Sequence, residues 1–307
     1  VTSLRAPERE ASTVWRPAVP VDVRLTLGPL RHGSGDPTSR VLDRAVWRTT
    51  RLASGPATLR VGQGGPREVH ATAWGPGAEE AVAGLPDLLG GDVPYALVPR
   101  HPLLVDAWAR HPGLRIPRSG RVVEALVPAV LEQKVTGKEA LRAFRVLCLG
   151  FGTPAPGPLS GLVLPPTAEQ WRRIPSWEWH RAGVDPKRSR TIVHAMAYAA
   201  RLEEAAALPH AAASERMRAL PGIGVWTAAE VAQRALGDLD AVSVGDYHLA
   251  GHVGWALLGR PVDDAGMLEV LAEWAGFRQL VCRLIQVGGV RKPRFGPRLT
   301  VQDHRWH

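Results

Sequence analysis

Between two stretches of helical periodicity the chain reads LPGIGVWTAAEVAQRAL, Leu220 to Leu236. Pro221, Gly222 and Gly224 break a helix, whereas Val225 to Leu236 can resume one. Ser214 is placed to cap the preceding helix, which then reaches Leu220. Two glycines around one apolar residue let the backbone turn tightly. They also leave N–H groups at a helix N-terminus with no Cβ in the way of an approaching anion. Gly222, Ile223, Gly224 and Val225 therefore form a candidate phosphate cradle, with Ile223 anchoring the turn in the core. The same pattern also serves an ordinary helix–helix turn.

Helical signals surround this segment. Val122, Val123, Leu126, Val127, Val130 and Leu131 recur at i, i+3 and i+4, and Leu141, Phe144, Val146 and Leu147 form a second series ending at Gly150. A Pro-rich connector runs from Thr153 to Pro166. After it, Thr167 with Gln170 spells a capping box, Ser176 is placed to cap a short Trp-rich turn, and Asp185 before Pro186 starts a helix toward Leu202. The first hundred residues read differently. Val21, Val23, Leu25 and Leu27 alternate with Asp22, Arg24 and Thr26, the period of a half-buried strand, and strand-like runs recur at 45–52, 57–61 and 68–74. Apolar residues at helical spacing from Gly77 to Leu89 add a helix or two on one face of a small sheet. Nothing in this part suggests chemistry, and it reads as a scaffold.

Asp246 is the second candidate. It lies in VSVGDYHLAGHVGWALLG, where a short apolar run meets a new helix. An aspartate there also serves as an ordinary N-cap. The charge balance bears on the partner: 38 Lys plus Arg against 29 Asp plus Glu give a net +9, which favours a polyanion. The only lysines are Lys134, Lys138, Lys187 and Lys292, and the wealth of Arg, Ala, Gly and Pro also follows from GC-rich coding, so charge alone is a weak indicator.

The hairpin together with the Asp246–Tyr247 step resembles the helix-hairpin-helix (HhH-GPD) DNA glycosylase superfamily, most closely its DNA-3-methyladenine glycosylase II, or AlkA-like, branch. HPGLRIPRSGRVVEALVPAVLEQKVTGKEA, His111 to Ala140, resembles the family's first glycosylase helices, and DPKRSRTIVHAMAYAARLE, Asp185 to Glu203, its middle helix. The likeness covers about residues 100–290 and implies an α+β protein. Its expected parts are a TBP-like antiparallel sheet domain over 1–105, an all-α glycosylase domain over 106–290, and a basic tail over 291–307. The implied partner is double-stranded DNA containing damaged bases.

The resemblance also implies roles. Cleaving an N-glycosidic bond develops positive charge on the sugar, and Asp246 is the carboxylate expected to face it and orient the attacking water. An alkylated purine such as 3-methyladenine is already cationic and needs little help to leave. The damaged base must first be flipped out of the duplex. Lys134, after Gln133, stands where the family places an intercalating wedge. Trp226, Gln133 and Gln286 are the implied base pocket. Trp226 would stack on a cationic base, although a core role suits a Trp there equally. Gln286 replaces an expected aromatic residue. Bifunctional members use a lysine where Trp226 stands, so the expectation is a monofunctional hydrolase that leaves an intact abasic site in base excision repair.

Cys148 and Cys282 are the only cysteines, too few for a four-cysteine iron-sulfur cluster. No cofactor is expected, and the resemblance admits at most a monovalent cation at the hairpin. His248 and His252 have metal-ligand spacing but lack the Glu of HExxH and an evident third ligand. No run approaches about 18 uninterrupted apolar residues, and Val1 to Glu10 lacks a signal-peptide core. The expectation is therefore a soluble monomer in the cytoplasm, associated with the nucleoid. Arg283, Arg291, Lys292, Arg294, Arg298 and Arg305 could follow a phosphate backbone or form a solvated tail. Two other functions remain open: a non-catalytic helix-hairpin-helix DNA-binding protein, and, more remotely, a metal-dependent hydrolase.

Overall fold

The computed structural model describes residues 9–289, so the basic stretch expected at 291–307 lies outside the described residues. Near the N-terminus, β1 (Glu10–Trp15), β2 (Ser39–Leu42), β3 (Ala45–Leu52), β4 (Gly55–Gly65) and β5 (Glu68–Trp74) form one antiparallel sheet in the order β1-β5-β4-β3-β2. Asp43 and Arg44, at φ 48° and 61°, make the two-residue turn between β2 and β3, a twist that suits neighbouring strands. Leu59, Val61, Val69, Ala71 and Ala73 point to one face. There they pack on Ala78, Ala81, Leu85 and Leu88 of the short helices α2 (Ala78–Ala83) and α3 (Leu85–Leu88).

Residues 21–27 are not a strand. They form α1 (Val23–Leu27), continued by a 3-10 turn over Gly28–Leu30. Asp22 accepts from the Leu25 amide at 2.8 Å, and Val23 donates to the Gln63 side chain at 2.9 Å. The buried residues Val23, Thr26 and Leu27 follow helical spacing. Over so short a run, apolar alternation fits either period, and the Asp22 cap together with the Gly28–Pro29 stop selects the helix.

The opposite face of the sheet is covered by the Pro-rich connector, in which β6 (Thr153–Pro154) pairs with β7 (Val163–Leu164). Trp47 and Trp74 stack at 5.3 Å beside Leu162. Thr58 donates to the Pro156 carbonyl at 2.6 Å and Thr49 to that of Val163 at 2.7 Å.

The remainder is helical, with two cores. The first is built by α5 (Val122–Leu131), α6 (Gly137–Phe151), α7 (Ala168–Arg173), α8 (Ser176–Arg181), α9 (Pro186–Ala197), α10 (Ala199–Glu203), α11 (His210–Arg218) and α12 (Val225–Val231). The second joins α4 (Pro102–Arg110) to α13 (Leu249–Leu258), α14 (Asp264–Leu271) and α15 (Arg278–Val287). The chain thus enters and leaves through one core and builds the other in between.

Two expected starts hold in detail. Thr167 and Gln170 exchange both capping-box hydrogen bonds, at 3.1 and 2.8 Å, and Asp185 accepts from the amides of Lys187 and Arg188. Two others shift. Ser176 is the first residue of α8 and makes no cap, and Ser214 lies inside α11. Pro175 and Pro209 precede those helices at φ −63° and −54°, and their fixed backbone sets the start in place of a serine side chain.

Candidate functional site

The hairpin lies between α11 and α12. Gly222 adopts φ +88°, and a Cβ there would collide with Thr191 Oγ1 of α9, so both backbone and space demand glycine. Ile223 is 5% exposed and enters the first core, while its amide donates to the Leu220 carbonyl at 3.1 Å. Gly224 is different: its φ of −94° suits any residue, and a Cβ there would meet open space. Val225 is 48% exposed at the first helical position. The opening amides of a helix lack intrahelical acceptors, so this corner presents N–H groups to an unobstructed surface.

The end of α5 is bound to this corner. Gln133 donates its side-chain amide to the Gly222 carbonyl and to Thr227 Oγ1. Lys134 follows at φ +54° with its side chain exposed, a left-handed conformation that costs a non-glycine residue about 1–2 kcal/mol. Arg188, from α9, donates to the Leu131 carbonyl at 2.6 Å and locks the same end of α5 from below.

Asp246 sits at the seam between the two helical cores. Gly245, at φ +89°, turns the chain into it. One carboxylate oxygen accepts from the amides of His248 and Leu249, both at 2.8 Å, at the start of α13; the other makes no hydrogen bond among the described residues. The side chain is half-buried, beside a Tyr247 that is 80% exposed.

A chain of polar contacts ties this loop to the helix behind the hairpin. The Asp246 amide donates to the Ser243 carbonyl at 3.2 Å, the Ser243 hydroxyl donates to Glu230, and Arg234 donates to the other Glu230 oxygen at 2.6 Å. Gln233 donates to Ser243 Oγ and to the Ala241 carbonyl. Arg234 also reaches the Pro29 carbonyl at 3.0 Å, so the N-terminal part contributes to the site and is more than a scaffold. Burial depresses the Arg234 guanidinium, but Glu230 and Glu132 outweigh it and hold the guanidinium above its ordinary value. Glu132, Glu230, Arg234 and their contacts escaped sequence reasoning. They gain meaning only when segments far apart in the chain meet.

Trp226 is half-buried at the hairpin. Gln286 is exposed on α15, where it accepts from Arg283 at 2.6 Å. Arg283 in turn reaches the Leu25 carbonyl, and burial followed by the repulsion of Arg234 lowers its pKa. His248 is exposed, and among the described residues no group of three or more His, Cys, Asp or Glu is arranged to hold a metal ion. Cys148 and Cys282 are both free and buried; burial pushes the Cys282 thiol up to about 12. Among the described residues no helix is long and apolar enough to cross a membrane.

No protein-family model matches the chain. Over 172 residues it is 34% identical to a Mycobacterium tuberculosis protein named "probable bifunctional transcriptional activator/DNA repair enzyme AlkA", covering 54% of this chain and 33% of that protein. The chain thus spans a third of the length of the curated relatives it matches. Among solved structures, the 3-methyladenine DNA-glycosylase from Archaeoglobus fulgidus aligns with a TM-score of 0.74 at 18% identity, over 90% of this chain and 98% of that one. The 8-oxoguanine glycosylase/lyase of Clostridium acetobutylicum aligns at 0.69 and 12%, over 92% and 98%. The chain has the fold of the helix-hairpin-helix DNA glycosylase superfamily, with an N-terminal antiparallel sheet followed by a helical region.

Proposed function

We propose that this chain is a monofunctional DNA glycosylase that removes alkylated bases of the 3-methyladenine type from double-stranded DNA. The observation that carries the reading is the half-buried Asp246, with one carboxylate oxygen held by helix amides and the other unbonded. It is joined through Ser243 and Glu230 to the helix that opens on the glycine hairpin. The sequence shared with a DNA repair relative and the glycosylase fold support it.

In this mechanism the amides of Gly224 and Val225 take hold of a backbone phosphate, since a helix N-terminus favours an anion. Lys134, projecting from its strained turn, fills the space left by the extruded nucleotide with its alkyl stem. Trp226 stacks on the flipped base. The free oxygen of Asp246 faces C1′ as the glycosidic bond stretches and the sugar becomes cationic, then accepts a proton from the water that adds there. Partial burial strengthens that attraction, because the effective dielectric falls below that of water. Trp226 supplies no amine, so no Schiff base forms and the strand stays intact. The protein acts as a monomer on nucleoid DNA in the cytoplasm.

The test is incubation with methylated duplex DNA, with released bases identified by mass. Asp246→Asn is expected to abolish release while keeping affinity for the duplex, and borohydride is expected to trap no covalent adduct. A wild-type protein that binds DNA and releases no base from any methylated duplex is a non-catalytic DNA-binding protein.

A further inference from the structure

Glu132 has no part in the mechanism above. It closes α5 at φ −80° and ψ −8°, directly before the Gln133 that is bonded to the hairpin. Its carboxyl is half-buried and makes no hydrogen bond or close ion pair among the described residues. The charged groups acting on it are Arg234 and Glu230 from the helix after the hairpin, and Asp246 from its own loop. From α9, Arg188 reaches the neighbouring Leu131 carbonyl but is already paired with Asp185. Lys134 points to solvent. Burial raises the Glu132 pKa, Arg234 opposes the rise, and Glu230 and Asp246 add to it, leaving the carboxyl above its ordinary range.

The site therefore holds two unlike carboxyl groups. Asp246 is fixed by two amides, which favour the ionised form. Glu132 has no such donors, and its surroundings favour the neutral acid. Such a division of labour, one acid to give a proton and one carboxylate to face a cation, is what cleavage of a poor leaving group requires.

We propose that Glu132 protonates the departing base, so that the site also releases neutral damaged purines, which leave poorly unless a proton reaches them. This rests on the glycosylase reading. The Glu132 O–H proton passes to a ring nitrogen of the base as the C1′–N bond breaks and its electron pair stays with the base. Water then adds to C1′, its proton goes to Asp246, and both carboxyls return to their starting states by exchange with solvent. A cationic lesion already carries its extra charge and bypasses the first transfer.

Single-turnover release is measured from two duplexes, one with hypoxanthine and one with 7-methylguanine, using wild type, Glu132→Gln and Glu132→Asp. Wild type is expected to release both. Glu132→Gln lowers the ratio of hypoxanthine to 7-methylguanine release by about 10²–10⁴-fold, the usual worth of a positioned acid, and Glu132→Asp restores part of it. The wild-type ratio falls with rising pH as Glu132 ionises, and that fall disappears in Glu132→Gln. Release of 7-methylguanine without hypoxanthine overturns the proton-donor role and leaves the glycosylase reading standing. An unchanged ratio in Glu132→Gln does the same, whether or not both rates drop together. Release of neither base by wild type overturns both.

Discussion

The side-chain amide of Gln133 donates to the Gly222 carbonyl at 2.9 Å and, with the same nitrogen, to Thr227 Oγ1 at 2.8 Å. One residue at the end of α5 thereby holds both arms of the hairpin. Gln133→Ala removes two neutral hydrogen bonds, each with a net value of about 0.5–1.5 kcal/mol, and is expected to lower the melting temperature by a few degrees and weaken duplex binding. Gln133→Glu turns an acceptor toward an existing carbonyl and is expected to cost more. Calorimetry and a DNA titration check both; Gln133→Ala melting like wild type would mean that the stitch carries no weight.

The two hairpin glycines separate a folding role from a binding role. Gly222→Ala forces φ +88° on an L-residue and drives a methyl group into Thr191, with strain of about 1–2 kcal/mol and overpacking of about 1–3 kcal/mol. Adding Thr191→Ala should recover the second part only. Gly224→Ala meets open space at an ordinary φ, so its stability should stay near wild type while affinity for DNA falls, because the added methyl stands where a phosphate approaches. Chemical denaturation and binding isotherms on the same variants distinguish the roles, and equal loss of affinity and stability in Gly224→Ala would argue against the cradle.

Glu230 is 9% exposed and accepts from both Arg234 and Ser243. Glu230→Met leaves the Arg234 guanidinium without its partner, and breaking a buried pair from one side costs about 3–5 kcal/mol. The double replacement Glu230→Met with Arg234→Met removes the stranded charge and should be more stable than Glu230→Met alone. A double-mutant cycle in urea measures the difference; additive losses would show that the pair is not coupled.

His32 titrates far from its usual range. Burial pushes it down to about 4, with Asp36 opposing and Arg234 and Arg48 adding to the fall; its ring lies 4.5 Å from that of Phe144. Between that value and the ordinary imidazole pKa near 6.5, the unfolded chain binds a proton that the native protein refuses. This contribution to stability is therefore complete above about pH 6.5 and shrinks as pH falls toward 4. His32→Gln should flatten the decline of the melting temperature across that window. An unchanged slope would mean that other groups dominate it.

What could be read from the sequence was local. The capping pairs Thr167–Gln170 and Asp185–Pro186 act within one turn, and strands at 45–52 and 68–74 show in their own alternation. The Val21–Leu27 segment misled because alternation over so few residues also satisfies a helix whose cap, Asp22, and anchor, Gln63, are needed to decide it. Ser176 and Ser214 misled because a preceding proline fixes a helix start as firmly as a serine does. At the site, the glycine turn and Asp246 stand out by spacing. The Glu132–Arg234–Glu230–Ser243 cluster does not, since it is assembled from two helices, a loop and the Pro29 carbonyl of the N-terminal part. His32 was invisible for the same reason.

Behind the hairpin, α12 passes into a π turn over Ala232–Leu236 before Gly237 ends it at φ 69°. Such a turn accommodates one more residue than regular winding, and each residue in a regular helix advances the side chains by about 100°. Gln233 and Arg234 owe their separate aims, toward Ser243 and toward Pro29, to that surplus residue. Trimming a single alanine from this stretch would leave the helix hydrophobic and intact in length, yet swing the guanidinium out of register and unhitch the aspartate loop from its support.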